Sequence, residues 1–121
     1  MAAPNVVNVS SILGKTDVMS VTTTETAITT NSTSSNKLYK VNSIVVSNVD
    51  GVNAADISID LFRSSTAYYL ARTITIPADS TLVVLSKDMS IYLEEGDAIR
   101  CLASANGDLQ AVCSYEIIDD A

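Results

Sequence analysis

Apolar and polar positions alternate with a period of two along much of this chain, and Gly, Pro, Asn and Asp interrupt the alternation at short intervals. Ala55, Ile57, Ile59 and Leu61 alternate with Asp56, Ser58 and Asp60, which predicts a strand with one buried face and an acidic outer one. Residues 38–49 differ, being apolar on both parities: Tyr39, Val41 and Val45 on one side, Leu38, Ile44 and Val46 on the other. That pattern predicts a strand covered on both faces. Turns are expected at Asp50-Gly51-Val52-Asn53, at Pro77-Ala78-Asp79-Ser80 and at Glu94-Glu95-Gly96-Asp97, where Pro presets φ and Asp side chains bond to following amides. Between them lie expected strands over residues 68–76, 81–86 and 98–104, with a shorter alternation through Met89, Ile91 and Leu93.

Asn106-Gly107-Asp108 predicts a hairpin into a last strand over residues 109–118, because Asn-Gly supplies the positive φ values of a tight β-turn. In that register Ile99, Cys101 and Ala103 share a face with Leu109, Ala111, Cys113, Tyr115 and Ile117, and Cys101 falls opposite Cys113. Leu102 and Val112 are left on the outward parity. Near the N-terminus, residues 6–13 and 18–24 can form strands, whereas the polar stretch 31–36 reads as a loop. About eight to ten short strands with regular turns indicate an all-β antiparallel β-sandwich of jelly-roll or Greek-key type. Residues 1–36 are expected to form an N-terminal arm or strand pair with a Ser/Thr-rich loop, part of the same unit, and residues 37–121 its sandwich core.

At 121 residues the chain is one domain able to bury roughly 65% of its unfolded surface. Ser and Thr supply 28 of those residues and Trp none, which together with the abundance of Val and Ile favours strands over helices. A net charge of -7 without any Lys or Arg cluster is the wrong sign for phosphates, so neither nucleic acid nor an anionic membrane is an expected partner. The first residues lack the pattern of a secretory signal, and no run approaches a membrane span. Synthesis in a reducing cytoplasm is therefore expected, with Cys101 and Cys113 read as buried thiols; a disulfide and redox or metal chemistry are the alternatives.

Histidine is absent, so the usual Ser or Cys nucleophile with an imidazole base cannot be built. Lys15, Lys37, Lys40 and Lys87 could serve as bases only if buried. Asp56 and Asp60 share a strand face, a placement conceivable for glycosidase carboxylates, but no aromatic side chain is placed to stack on a sugar, and the two read as a solvated face. Asp50 with Asn53, and Glu94, Glu95 and Asp97, are candidate cation ligands whose spacing fits no calcium loop; they read as turn formers and solvated charges. The chain is expected to be non-enzymatic and to need no cofactor.

Several segments resemble one family. Val6-Val7-Asn8-Val9-Ser10-Ser11-Ile12-Leu13-Gly14-Lys15-Thr16, Leu38-Tyr39-Lys40-Val41-Asn42-Ser43-Ile44-Val45-Val46-Ser47-Asn48, Pro77-Ala78-Asp79-Ser80-Thr81-Leu82 and Ile91-Tyr92-Leu93-Glu94-Glu95-Gly96-Asp97-Ala98-Ile99-Arg100 are similar to small virion proteins of tailed bacteriophages, closest to those of phages infecting marine cyanobacteria. The stretches Asn53-Ala54-Ala55-Asp56 and Ala103-Ser104-Ala105-Asn106-Gly107-Asp108-Leu109 extend the resemblance over nearly the whole chain. Where many such proteins carry a Pro-Ala-Gly turn, this chain has Ser34-Ser35-Asn36-Lys37.

The resemblance implies a structural component of a virion, made in the host cytoplasm, with no catalytic residues. A capsid decoration or cement subunit that forms homo-oligomers on a major capsid protein is the first expectation. A tail, neck or fibre-associated subunit is the second, and a receptor or carbohydrate-binding module the third. The residues expected to meet neighbours are Val6, Val7, Val9 and Ile12 in the N-terminal arm, Tyr68 and Tyr69, and the outward Leu102 and Val112. Of the adjacent tyrosines, one ring is expected in the core and one at the surface.

Overall fold

The β-branched runs and their turns fold into nine strands among residues 10–119, the residues that the computed structural model describes. They are β1 (Ser11–Ser20), β2 (Thr26–Thr30), β3 (Lys37–Asn48), β4 (Ala55–Arg63), β5 (Thr66–Ile76), β6 (Thr81–Leu85), β7 (Ile91–Leu93), β8 (Ala98–Ala103) and β9 (Leu109–Asp119), with one 3-10 turn at Lys87–Met89. A five-stranded sheet has the order β1-β9-β3-β6, with β7 pairing further along the same β3. The four-stranded sheet has the order β2-β8-β4-β5, and all pairings are antiparallel. The chain changes sheet at every connection except β4–β5 and β6–β7. This is the jelly-roll arrangement of two facing sheets.

The core lies between the sheets. Val41, Ile44, Val46, Leu109, Ala111 and Cys113 from one side meet Ile57, Ile59, Ile99, Cys101 and Ala103 from the other, all buried. β4 follows its alternation as read: Ala55, Ile57 and Ile59 are buried, and Asp56 and Ser58 face outward, half-buried. β1 runs straight through Gly14 and joins two segments that the sequence pattern separates.

β3 departs from the expectation of a strand covered on both faces. Its register slips between Val41 and Ser43, so Asn42 is an extra residue that moves the inward parity from Tyr39 and Val41 to Ile44, Val46 and Asn48. A β-bulge does this because each added residue reverses which face later side chains take. Apolar residues on both parities thus serve one inner face in two phases, while Val45 points outward and is only half-buried.

β8 and β9 are also not the expected hairpin. They lie in different sheets, β8 between β2 and β4, β9 between β1 and β3, and residues 104–108 carry the chain across the sandwich. Gly107 has φ +83, but Asn106 is not among the residues with positive φ, whereas a type I′ turn needs both. Asn106 instead accepts a hydrogen bond from the Thr23 amide at 2.8 Å. The crossing is pinned further by Ser104 N donating to Asp56 O at 3.0 Å and Val49 N donating to Asp108 O at 2.8 Å. The inward residues were correctly placed because a hairpin and a crossing both turn the same parity to the core.

Candidate functional site

Strand register assembles an apolar line that no single segment displays. Val18 pairs with Val112, Val112 with Val45, and Val45 with Val83. Directly paired residues of antiparallel strands project to one side, so the four valines cross the five-stranded sheet from edge to edge. They lie on its outward face: Val18 is 73% and Val83 58% exposed, and Val45 and Val112 are half-buried. The neighbouring rows on that face are Thr16, Ser114 and Ser43 on one side and Ser20, Gln110, Ser47 and Thr81 on the other. Hydroxyls within these rows bond to each other, Thr16 to Ser114 at 3.1 Å and Ser47 to Thr81 at 3.0 Å. In a chain of net charge -7, these three rows hold no charged residue. A shallow groove of about 300 Å³ runs between Val18–Ser20 and Gln110–Val112.

The outward face of the four-stranded sheet is built differently. Asp60 on β4 is buried beneath Arg100 of β8, which donates to it from Nε at 3.0 Å and Nη2 at 3.2 Å. Arg100 also meets Glu25 at 2.5 Å and lies 3.8 Å over the Phe62 ring. Asp60, through its hydrogen bond and its charge, pushes the Glu25 carboxyl up, and desolvation adds to this. The solvated acidic face expected at Asp56 and Asp60 is thus corrected: Asp60 is held in an ion pair, and Asp56 accepts from Thr75 Oγ1 at 2.7 Å. A carboxylate this far from water requires such a fork-shaped partner.

The turn before β8 repeats the device. Asp97, also buried, accepts from Arg63 Nε at 2.9 Å, from Arg63 Nη2 at 2.6 Å and from the Glu94 amide at 2.8 Å. Arg63 reaches Glu94 at 3.0 Å as well, and its guanidinium is raised above the usual range chiefly by the bond to Asp97. These groups line an open cleft of about 500 Å³ with Thr33, Ser64 and Ser65. Asp97 is therefore not the solvated charge expected from the sequence, and its oxygens are already engaged. Asp50 acts as a turn former, its carboxyl held below the usual range by the amides of Val52 and Asn53. Among the described residues no group of His, Cys, Asp or Glu is arranged to hold a metal ion.

Cys101 and Cys113 project into the core from opposite sheets rather than side by side on a hairpin, and both are free thiols. Burial pushes Cys101 up to about 12, with the charge of Cys113 adding to it, and Cys113 up to about 11 against a hydrogen bond from Thr29. At neutral pH such thiols stay protonated and pack as small apolar groups. Beside them, Tyr115 stacks on Tyr39 at 5.2 Å between centroids and donates from its hydroxyl to Asp17 at 2.9 Å. Thr29 donates to the same Asp17 oxygen at 3.0 Å.

Of the residues expected to meet neighbours, Val6, Val7 and Val9 lie outside the described residues. Ile12 is exposed on β1. Tyr68 and Tyr69 are 57% and 44% exposed, so neither ring enters the core; on the edge strand β5 they pair with Leu61 and Asp60 and lie on opposite faces. Arg72 lies 4.7 Å over the Tyr69 ring. Leu102 and Val112 both face outward but on opposite sides of the sandwich, Leu102 beside Ser58 and Val112 in the valine line. Sequence reasoning missed Val18, Val45 and Val83 as partners of Val112, because only the register aligns them.

No family model matches the chain, and no curated protein matches it. Among solved structures, the chain is similar to one from work on Bacillus endospore appendages, described as forming a novel family of disulfide-linked pili. The two are 16% identical, with a TM-score of 0.53 over 92% of this chain and 90% of that one. This likeness is one of fold. A second structure, of a pentameric capsid protein isolated from metagenomic phage sequences, is 16% identical over 98% of this chain and 66% of that one, with a TM-score of 0.43, too loose to argue from.

Proposed function

We propose that this chain is a non-enzymatic structural subunit of a tailed-phage virion, acting through contacts between subunits, with capsid decoration or cement as its specific role. The observation that carries the reading is the set of three uncharged rows on the outward face, with their Val18–Val112–Val45–Val83 line. A monomer working alone would rather place charge on an outward sheet face, and apolar surface shared by several strands marks an interaction site. Lateral contact through such a face is weak for one copy and adds up over a lattice of copies. The resemblance to small tailed-phage virion proteins points the same way, and the jelly roll is compatible with it without implying it.

The test is the composition of purified particles from the host that carries this sequence. The chain is expected to stay with the particle through a density gradient, in a copy number that scales with the shell. A copy number equal to one ring would favour a tail or neck subunit instead. Absence from particles would overturn the reading. For a carbohydrate-binding module a platform of stacking rings is needed; Phe62 and Tyr69 each carry a guanidinium on one face, and the exposed Tyr68 and Tyr92 sit on strands of different sheets, which disfavours that alternative.

A further inference from the structure

We infer that two copies of this chain pair antiparallel through their β1 edges, about a two-fold axis at Thr16, so that two five-stranded sheets become one. The inference deepens the structural role proposed above by naming one contact between subunits. Among the described residues, the sheet edges are unequal. β2 and β6 have five residues each and β7 has three. β5 has eleven, but its pairing with β4 slips twice and Thr73 sits at φ 52, which bends an edge away from further pairing. β1 alone offers ten residues in unbroken register with β9. Such an edge presents unpaired amides and carbonyls and is a template for another strand.

Which groups face outward follows from one bond. Val21 N donates to Leu109 O at 2.8 Å, in the register that continues β1. Antiparallel pairs alternate between bonded and unbonded, so Leu13, Lys15, Asp17 and Met19 direct their amides to β9. Ile12, Gly14, Thr16, Val18 and Ser20 direct theirs to the open edge.

Charge then selects the register. An axis at Lys15 sets Lys15 opposite itself, and an axis at Asp17 sets Asp17 opposite itself; like charges directly across a ladder are destabilising. An axis at Thr16 places Lys15 opposite Asp17 of the second copy, twice by symmetry. Axes at Gly14 or Val18 leave both charges facing uncharged residues and shorten the ladder. The Thr16 register also sets exposed Leu13, at 59%, opposite Met19, and exposed Val18 opposite Gly14. At Gly14 the position of a Cβ has nothing within 4 Å, so the valine side chain has room to cross the seam.

The experiment uses the full chain in solution. Sedimentation at micromolar concentration is expected to show a dimer. Thr16→Pro removes an amide that points away from β9, a position where an edge strand accepts Pro, so this variant should sediment as a monomer with unchanged circular dichroism, its melting temperature lowered only by the lost Ser114 bond and the lost dimer linkage. Lys15→Glu sets like charges opposite each other and should weaken the dimer roughly tenfold. Thr16→Cys should be joined to its symmetry mate by a short bifunctional thiol reagent, because bonded antiparallel pairs lie ~5.5 Å apart at Cα, and Cys101 and Cys113 are buried. Val83→Cys, at the far edge of the same sheet, should not. A monomeric wild type, a dimeric Thr16→Pro or equal cross-linking at positions 16 and 83 would each overturn the pairing. If the pairing fails while the chain is recovered in particles, the structural role stands; if the pairing holds and particles lack the chain, the role falls and the dimer stands.

Discussion

On the outward face of the four-stranded sheet, Asp60, Arg100, Glu25 and Phe62 satisfy one another; on the outward face of the five-stranded sheet, Val18, Val112, Val45 and Val83 have only solvent beyond them. The first face carries the stronger chemistry, yet its donors and acceptors are already matched inside the subunit. The second carries almost none, and for that reason its surface is still open to a neighbour. Polarity alone is therefore a poor guide to which face of a sandwich works outward. What separates them is whether the outward groups have partners within the fold.

The largest expected effect lies on the matched face. Asp60→Ala leaves Arg100 with Glu25 alone and should cost about 2 kcal/mol in urea unfolding, the loss of two hydrogen bonds between charged and largely buried groups. A loss as small as that of an exposed pair would mean that this face is solvated after all, and the contrast would collapse.

The interior shared by both faces gives the next effect. The folded thiols titrate at about 12 and 11, above their unfolded value of 9.0. Their stabilising contribution is therefore complete below pH 9 and is lost as pH rises toward 11, where the unfolded chain releases protons that the folded chain retains. Stability should fall by about 1 kcal/mol per pH unit for each thiol in that window. Cys113→Ala should reduce the slope by one such share in thermal melts between pH 9 and pH 11, and an unchanged slope would place that thiol outside the closed interior.

The connection between the faces comes third. Asn106→Ala removes the acceptor for the Thr23 amide and should cost about 0.5 to 1 kcal/mol by chemical denaturation. No cost at all would argue that residues 104–108 are not pinned across the sandwich. Smallest is the unmatched face: Val18→Thr with Val83→Thr should change unfolding free energy by less than about 0.5 kcal/mol, while weakening retention of the chain on particles. A large loss of stability would show that the valine line packs within the subunit, and the two faces would no longer differ in kind.

The inward face of β4, at Ala55, Ile57 and Ile59, was legible because a strand buried on one side alternates. Legibility failed at β3, where Asn42 adds one residue and makes a single inner face look like two. It failed again at Asn106-Gly107, where the side chain of Asn106 bonds to a distant amide instead of shaping a hairpin. Asp60 and Asp97 read as surface charges since their partners, Arg100 and Arg63, lie 40 and 34 residues away in the chain.

The sequence by itself determined much of the composition of the core, the number and rough limits of most strands, and the absence of histidine. Those are local properties: burial parity and turn chemistry act over a few residues. Only the tertiary structure decided which strands are neighbours, and with that the valine line, the two buried ion pairs and the open edge at β1. A hairpin and a crossing between sheets bury the same parity, so hydrophobic pattern cannot tell them apart; the partner of each outward residue is fixed by register alone.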